Sequence, residues 1–140
     1  MHKDVSITML IFASAIKSLS YLYMDENELY ILKNKWQQLV SRIAEQFGET
    51  PDLNTVLFLV GVQEFGKGAR NFSKDEKQDL MHVGTCCLMS RYNYYEFEGY
   101  DSDGWPHWRL VKKIPALSLK EQDILLKKAA VEYFESSGMI

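Results

Sequence analysis

Three side chains in one predicted helix have the chemical types and the spacing of a metal site. Asp79, His82 and Cys86 follow one another at intervals of three and four residues, so a helix places them on one face. Carboxylate, imidazole and thiolate groups are ligands of zinc and of iron. A di-iron bundle, however, would need a second such helix with additional glutamates. The alternative, which the small number of ligands favours, is a polar helix face exposed to solvent or to a partner.

Four acidic and imidazole side chains from different parts of the chain form a candidate acid–base site: Glu64, His82, Glu98 and His107. Glu98 is predicted to face His107 across a hairpin, and such a carboxylate would orient the imidazole of a general base. If the fold gathers all four, a small metal-dependent or acid–base enzyme is an alternative function. The simpler interpretation is a hairpin salt bridge and a buried Glu64 that binds Arg70 or a helix terminus, because such ion pairs also occur without catalysis.

A glycine-rich segment matches most of the phosphate-binding pattern GxxxxGK[ST]. Gly61, Gly66 and Lys67 occupy its positions, and an apolar run precedes them. The pattern requires Ser or Thr next, to bind magnesium, whereas residue 68 is glycine. Glu64 would also repel a phosphate. We therefore predict the glycine-rich end of a helix here, and we predict no cofactor for the chain.

The composition is that of one globular domain over residues 1–140. Hydrophobic residues make up 46% of the chain, and a chain of this size needs no disulfide or metal to fold. Its 16 basic and 19 acidic residues are interspersed and give a net charge of -3. A nucleic-acid-binding protein normally carries a basic stripe, because phosphate neutralisation supplies much of its affinity. We therefore expect no nucleic-acid partner.

Two further features bear on the cellular compartment. Cys86 and Cys87 are the only cysteines, and a disulfide between neighbours is strained and closes no useful loop, so the pair indicates a reducing, cytoplasmic compartment. The N-terminal segment has the apolar spacing of an amphipathic helix, through Val5, Met9, Phe12, Ile16, Leu19 and Tyr23. Because this one-sided stripe runs through the only sequence that resembles a cleavage site, we expect neither a signal peptide nor a membrane span.

Apolar spacing and capping signals predict four further helices, for five in all. A stripe from Leu29 to Phe47 ends at Gly48, a residue suited to a helix C-cap. The run from Leu53 to Val62 is apolar on nearly every side, which indicates a central buried helix, although the pattern also fits a strand. Capping boxes open the last two helices, at Ser73 with Glu76 and at Ser118 with Glu121. The predicted fold is therefore mainly α, with its helices around one core.

A single β-hairpin is predicted at residues 94–111, before the last helix. Alternating side chains precede the turn signature Asp101-Ser102-Asp103-Gly104, and a second extended run follows it. The register that opposes Tyr100 to Trp105 also opposes Glu98 to His107, Phe97 to Trp108, Glu96 to Arg109 and Tyr95 to Leu110. One face is then charge-paired and the other apolar, and both kinds of cross-strand pair are favourable. A shift by one residue would lose this match.

The hairpin region holds an excess of aromatic residues, and it is the predicted interaction surface. Seven of the 18 aromatic residues lie in the 17 residues from Tyr92 to Trp108. A helical core does not need this cluster, so we expect part of it to bind a partner. The residues predicted to form the surface are Tyr100, Trp105, His107 and Trp108. We therefore expect a non-enzymatic interaction or oligomerisation module, with a protein partner or a second copy of the chain.

Three segments of the chain have distinctive sequences: QEFGKGAR at Gln63–Arg70, SKDEKQDLMH at Ser73–His82 and DGWPHW at Asp103–Trp108. In these segments the chain resembles a group of small, uncharacterised bacterial helical proteins of about this length. The likeness is clearest from Val56 to Phe134. The resemblance implies a bacterial cytoplasmic protein of unknown function, and it assigns no functional residue, ligand or partner.

Overall fold

The structure is a computed structural model, and it describes residues 24–68 and 70–140. The described residues form four helices and one antiparallel two-stranded sheet, in the order α1 (Glu26–Phe47), α2 (Leu53–Phe65), α3 (Lys74–Ser90), β1 (Tyr95–Tyr100), β2 (Pro106–Leu110) and α4 (Leu119–Ser136). The mainly α fold with a hairpin before the last helix is thus confirmed. The first of the five predicted helices, with the stripe from Val5 to Tyr23, lies outside the described residues. None of the described helices is long and apolar enough to cross a membrane.

Side-chain caps set the ends of the helices. Ser73 accepts a hydrogen bond from the backbone N–H of Glu76, whose carboxylate in turn accepts from the backbone of Ser73. Ser118 and Glu121 repeat this arrangement at the start of α4, so both predicted capping boxes are confirmed. α1 ends at Gly48, which has φ +84°, a conformation that glycine adopts without strain. These helix ends follow from local chemistry alone.

Two glycines bring α2 and α3 together, and no other pair of elements packs as extensively. A Cβ atom on Gly61 would overlap the backbone carbonyl of Leu80, and one on Gly84 would overlap the backbone carbonyl of Leu57. The two helix backbones are therefore in direct contact, which any side chain at either position would prevent. This contact fixes the position of α3 on the central helix α2.

The core contains side chains from all four helices and from the start of the hairpin. Leu39 of α1, Val56 of α2, Leu88 of α3 and Ala129 of α4 are each fully buried in one cluster, and Tyr92 and Tyr94 join it. Both tyrosines lie in the connection from α3 to β1. The Tyr94 carbonyl accepts hydrogen bonds from the backbone N–H groups of residues 111 and 112, which close the base of the hairpin. Two of the seven clustered aromatic residues thus belong to the core.

The hairpin has the predicted register over half its length. Tyr95 opposes Leu110, Glu96 opposes Arg109 and Phe97 opposes Trp108, as predicted. Beyond Phe97 the register shifts by one residue, so that Gly99 opposes His107 and Tyr100 opposes Pro106. The predicted pairs of Glu98 with His107 and of Tyr100 with Trp105 are therefore wrong. The physical reason is a β-bulge at residue 98, beside Gly99, whose φ of +108° a residue with a side chain would rarely adopt.

Replacing Gly61 by alanine tests the contact between α2 and α3. The added Cβ would overlap a backbone carbonyl, and no side-chain rotation relieves that overlap. We expect the free energy of unfolding to fall by about 2–3 kcal/mol, as in other overpacked cores. Gly48→Ala is the control, because its Cβ would meet no atom within 4 Å and the φ of +84° alone costs about 1 kcal/mol. Urea denaturation measures both losses, and equal losses would contradict the contact.

Candidate functional site

A cleft of about 350 Å³ lies between α3 and the end of the hairpin. The side chains of Asp79, His82, Val83 and Cys86 line it from α3, and Asp101 and residues 105–108 line it from the hairpin. The helix residues are three, one and three positions apart, so they lie on one side of α3 over two turns. The predicted polar face of α3 is therefore one wall of the cleft, and the predicted aromatic surface of the hairpin is part of the other.

The α3 wall combines exposed polar groups with a buried thiol. Asp79 and His82 are exposed, whereas Cys86 is only 1% exposed. The Cys86 Sγ lies 3.5 Å from the His82 Nε2. Burial raises the pKa of Cys86 to about 11, so its thiol stays protonated at neutral pH and is neither a nucleophile nor a metal ligand in that form.

On the hairpin wall, one carboxylate organises both the turn and an imidazole. The Asp101 Oδ1 accepts hydrogen bonds from the backbone N–H groups of Asp103, at 2.9 Å, and Trp105, at 3.0 Å. The Asp101 Oδ2 lies 2.9 Å from the His107 Nε2. The hydrogen bond from His107, followed by the one from the Trp105 backbone, holds the pKa of Asp101 below its usual value. Asp101 therefore remains a carboxylate and orients the His107 ring. This role was predicted for Glu98.

The turn of the hairpin is held by the end of α2. The Lys67 Nζ donates a hydrogen bond to the Asp103 carbonyl oxygen at 2.9 Å, and the rings of Phe65 and Trp105 are 4.6 Å apart. The Lys67 side chain also covers Gly104, where a Cβ atom would overlap it. The segment that matches a phosphate-binding pattern is therefore a helix end, as predicted, and its lysine fixes the hairpin.

Trp108 joins the cleft to the hairpin surface. It is partly buried against the core, and its ring lies 5.2 Å from that of Phe97. Its indole N–H is buried, and it has no hydrogen-bond acceptor among the residues that the structure describes. Buried donors are almost always paired in folded proteins, so this N–H needs an explanation.

The structure brings together only two of the four residues of the predicted acid–base site. His82 and His107 both line the cleft, and neither Glu64 nor Glu98 does. Glu64 accepts a hydrogen bond from the Tyr133 hydroxyl at 2.9 Å, on the side of α2 that faces α4. Glu98 is the exposed residue at the bulge.

Two further expectations concern the partner of Glu64 and a metal site on α3. Arg70 does not bind Glu64; its guanidinium donates to Glu76 at 2.9 Å. The three predicted metal ligands, Asp79, His82 and Cys86, all line the cleft. However, within residues 24–68 and 70–140 no three His, Cys, Asp or Glu side chains are close enough together to hold a metal ion.

Sequence reasoning missed Asp101 as the partner of His107 and Phe97 as an exposed ring. A signal for Asp101 was present, because Asp at the first position of a turn regularly accepts hydrogen bonds from the backbone that follows. The pattern predicted the turn, but it did not indicate that the second Asp101 oxygen would reach His107. Phe97 was assigned correctly to the apolar face, but the alternating pattern does not tell where the supporting core ends.

Comparison of the chain with models of protein families, with curated proteins and with solved structures found no match in any of the three.

The state of the two thiols can be measured directly. Burial raises the pKa of Cys87 to about 12 and that of Cys86 to about 11. At pH 8 we expect native protein to react with Ellman's reagent on the order of 100-fold more slowly than urea-unfolded protein, because the thiolate is the reactive form. The rate should rise with pH, about tenfold per unit below the pKa. Cys86→Ser and Cys87→Ser variants report each thiol separately, and a fast native reaction of either would contradict the assignment.

Proposed function

We propose that the protein is a non-enzymatic interaction module that self-associates through its hairpin. The observation that carries the proposal is a group of large apolar side chains exposed on one face of the hairpin: Phe97, 44% exposed, Tyr100, 60%, and Leu110, 53%. We call these three residues the hairpin surface. Contiguous exposed apolar groups of this kind typically mark interaction sites.

The aromatic part of the hairpin surface is already ordered. The Phe97 ring lies 5.2 Å from the Tyr100 ring and 5.2 Å from the Trp108 ring. Trp108 packs against the core, so the ring contacts extend from this fixed residue through Phe97 to Tyr100, the most exposed of the three. Rigid aromatic side chains lose little conformational entropy on binding, which makes them effective at interfaces. Of the residues predicted for this role, Tyr100 and His107 are exposed, whereas Trp105 and Trp108 are half-buried and line the cleft.

A second copy of the chain is the partner that the charges favour. The turn end of the hairpin carries the exposed carboxylates of Glu98, Asp101 and Asp103, and the base carries the exposed Lys113. A two-fold axis across the strands would place the acidic end of one copy on the basic end of the other. The charges of the hairpin are thus complementary to those of a second copy, and its exposed side chains are apolar.

Addition of a strand to the sheet is less favourable than contact between side chains. Pro106 begins β2 and lacks an N–H group, and the bulge at Glu98 interrupts the outer edge of β1. Both features are devices that block edge-to-edge pairing. Association through the hairpin surface is therefore the mode that we propose.

The cysteines and the charge of the chain bear on the compartment and on other partners. Both cysteines are buried and free, which fits a reducing cytoplasm, and the mixed, slightly acidic charge fits no nucleic-acid partner. The acid–base alternative keeps only His82 and His107 in one cleft, so it has less support than the interaction module.

Two matched leucine variants test self-association. Leu110 belongs to the hairpin surface, whereas Leu119 is 84% exposed at the start of α4. We expect the dissociation constant of the homo-oligomer to rise at least tenfold, or by about 1.4 kcal/mol, in Leu110→Ser. Leu119→Ser should behave as the unchanged protein does. Light scattering over a range of protein concentrations measures the oligomeric state.

Two results would count against the proposal. One is an unchanged protein that remains monomeric at every concentration, which would leave a different protein as the partner. The other is an equal effect of the two leucine substitutions, which would show that a general loss of apolar surface is responsible. Circular dichroism and a urea midpoint establish that both variants fold.

A further inference from the structure

We propose that the cleft between α3 and the hairpin binds a small organic cation, an alkylammonium compound. The cleft is separate from the hairpin surface in its polar lining, and its volume of about 350 Å³ is within the range of small-molecule sites. The inference does not depend on self-association.

The charge of the lining favours a cationic ligand. The cleft is lined by the carboxylates of Asp79, on α3, and Asp101, on the hairpin, by the imidazoles of His82 and His107, and by no Lys or Arg side chain. Asp101 is held as a carboxylate by its hydrogen bonds, one of which joins it to His107. Lys67, which follows α2, donates to the Asp103 carbonyl oxygen. Two carboxylates on opposite walls would therefore attract a positive group placed between them.

The aromatic lining favours an alkylammonium group over a strongly hydrated ion. Trp105 and Trp108 line the cleft with Pro106 between them in the sequence. Indole rings attract organic cations through their negative faces, and tryptophan is the best residue for this interaction. Trp105 is fixed by its contact with Phe65, and Trp108 by the core. Both rings are thus in place before a ligand binds.

The indole N–H of Trp108 is closed to solvent, so a ligand in the open cleft does not reach it. Recognition of the ligand therefore depends on the two carboxylates and the two indole rings.

Nuclear magnetic resonance of the indole N–H groups tests the proposal with choline as the probe. The chain has three tryptophans, and Trp36 lies in α1, away from the cleft, as an internal reference. We expect choline to shift the signals of Trp105 and Trp108 and to leave that of Trp36 unchanged. The neutral isostere 3,3-dimethylbutan-1-ol should bind at least tenfold more weakly, because it lacks the positive charge.

Two variants of equal charge separate the cleft from the overall acidity of the protein. Asp79→Asn removes a carboxylate that lines the cleft, whereas Asp75→Asn removes one from the first turn of the same helix, outside the lining. We expect the choline dissociation constant to rise at least fivefold in Asp79→Asn and less than twofold in Asp75→Asn, since electrostatic attraction falls with distance. The oligomer variant Leu110→Ser should retain choline binding, which keeps this test distinct from that of self-association.

Four results would overturn the inference. The first is equal binding of choline and its neutral isostere, and the second is an equal effect of the two aspartate substitutions. The third is displacement of choline by micromolar Zn²⁺ in the unchanged protein but not in His82→Ala. That result would assign the cleft to a metal ion. The fourth is the absence of any shift of the Trp105 and Trp108 signals at about 50 mM choline, a concentration high enough to detect a weak site.

Discussion

The backbone contact between α2 and α3 determines where both walls of the cleft lie. Gly61 and Gly84 let the two helices touch, which fixes the face of α3 that carries Asp79, His82 and Cys86. The same helix α2 ends at Phe65, and Phe65 together with Lys67, two residues later, holds the turn of the hairpin. The α3 wall and the hairpin wall are thus both positioned from α2 and the residues that follow it.

The hairpin is held at its base, at its turn and through Trp108, and the apolar side chains of one part of it remain exposed. Tyr92 and Tyr94 bury its base in the core, and Trp105 secures its turn against the end of α2. The intervening rings of Phe97 and Tyr100 receive no such cover. An apolar segment that is fixed at both ends cannot fold back to bury its own middle. This explains how a small domain keeps an exposed apolar surface without losing the order of its side chains.

The sequence was sufficient for most features that depend on neighbouring residues, and insufficient for those that depend on distant ones and for the bulge in the hairpin. The capping box at Ser73, the end of α1 at Gly48 and the first three hairpin pairs are local, and they were predicted. The role of Gly61 was not, because it depends on a second glycine in another helix and the spacing instead imitated a phosphate-binding loop. Glu64 likewise contacts Tyr133, which no local pattern indicates. The bulge was missed because strict alternation of side chains on both strands assumes equal numbers of residues.

That bulge decides which acid serves the imidazole of the cleft. With one residue fewer in β1, His107 would face the carboxylate at position 98, on a strand that is open to solvent. The additional residue turns the chain so that the carboxylate of the turn itself reaches the ring. Asp101 is bound on its other oxygen by the backbone of the turn, so the imidazole is coupled to the conformation of that turn. Deletion of a single residue in this strand would therefore exchange an acid partner that the turn holds in place for one that is exposed to solvent, a change that substitutions within the cleft could not produce.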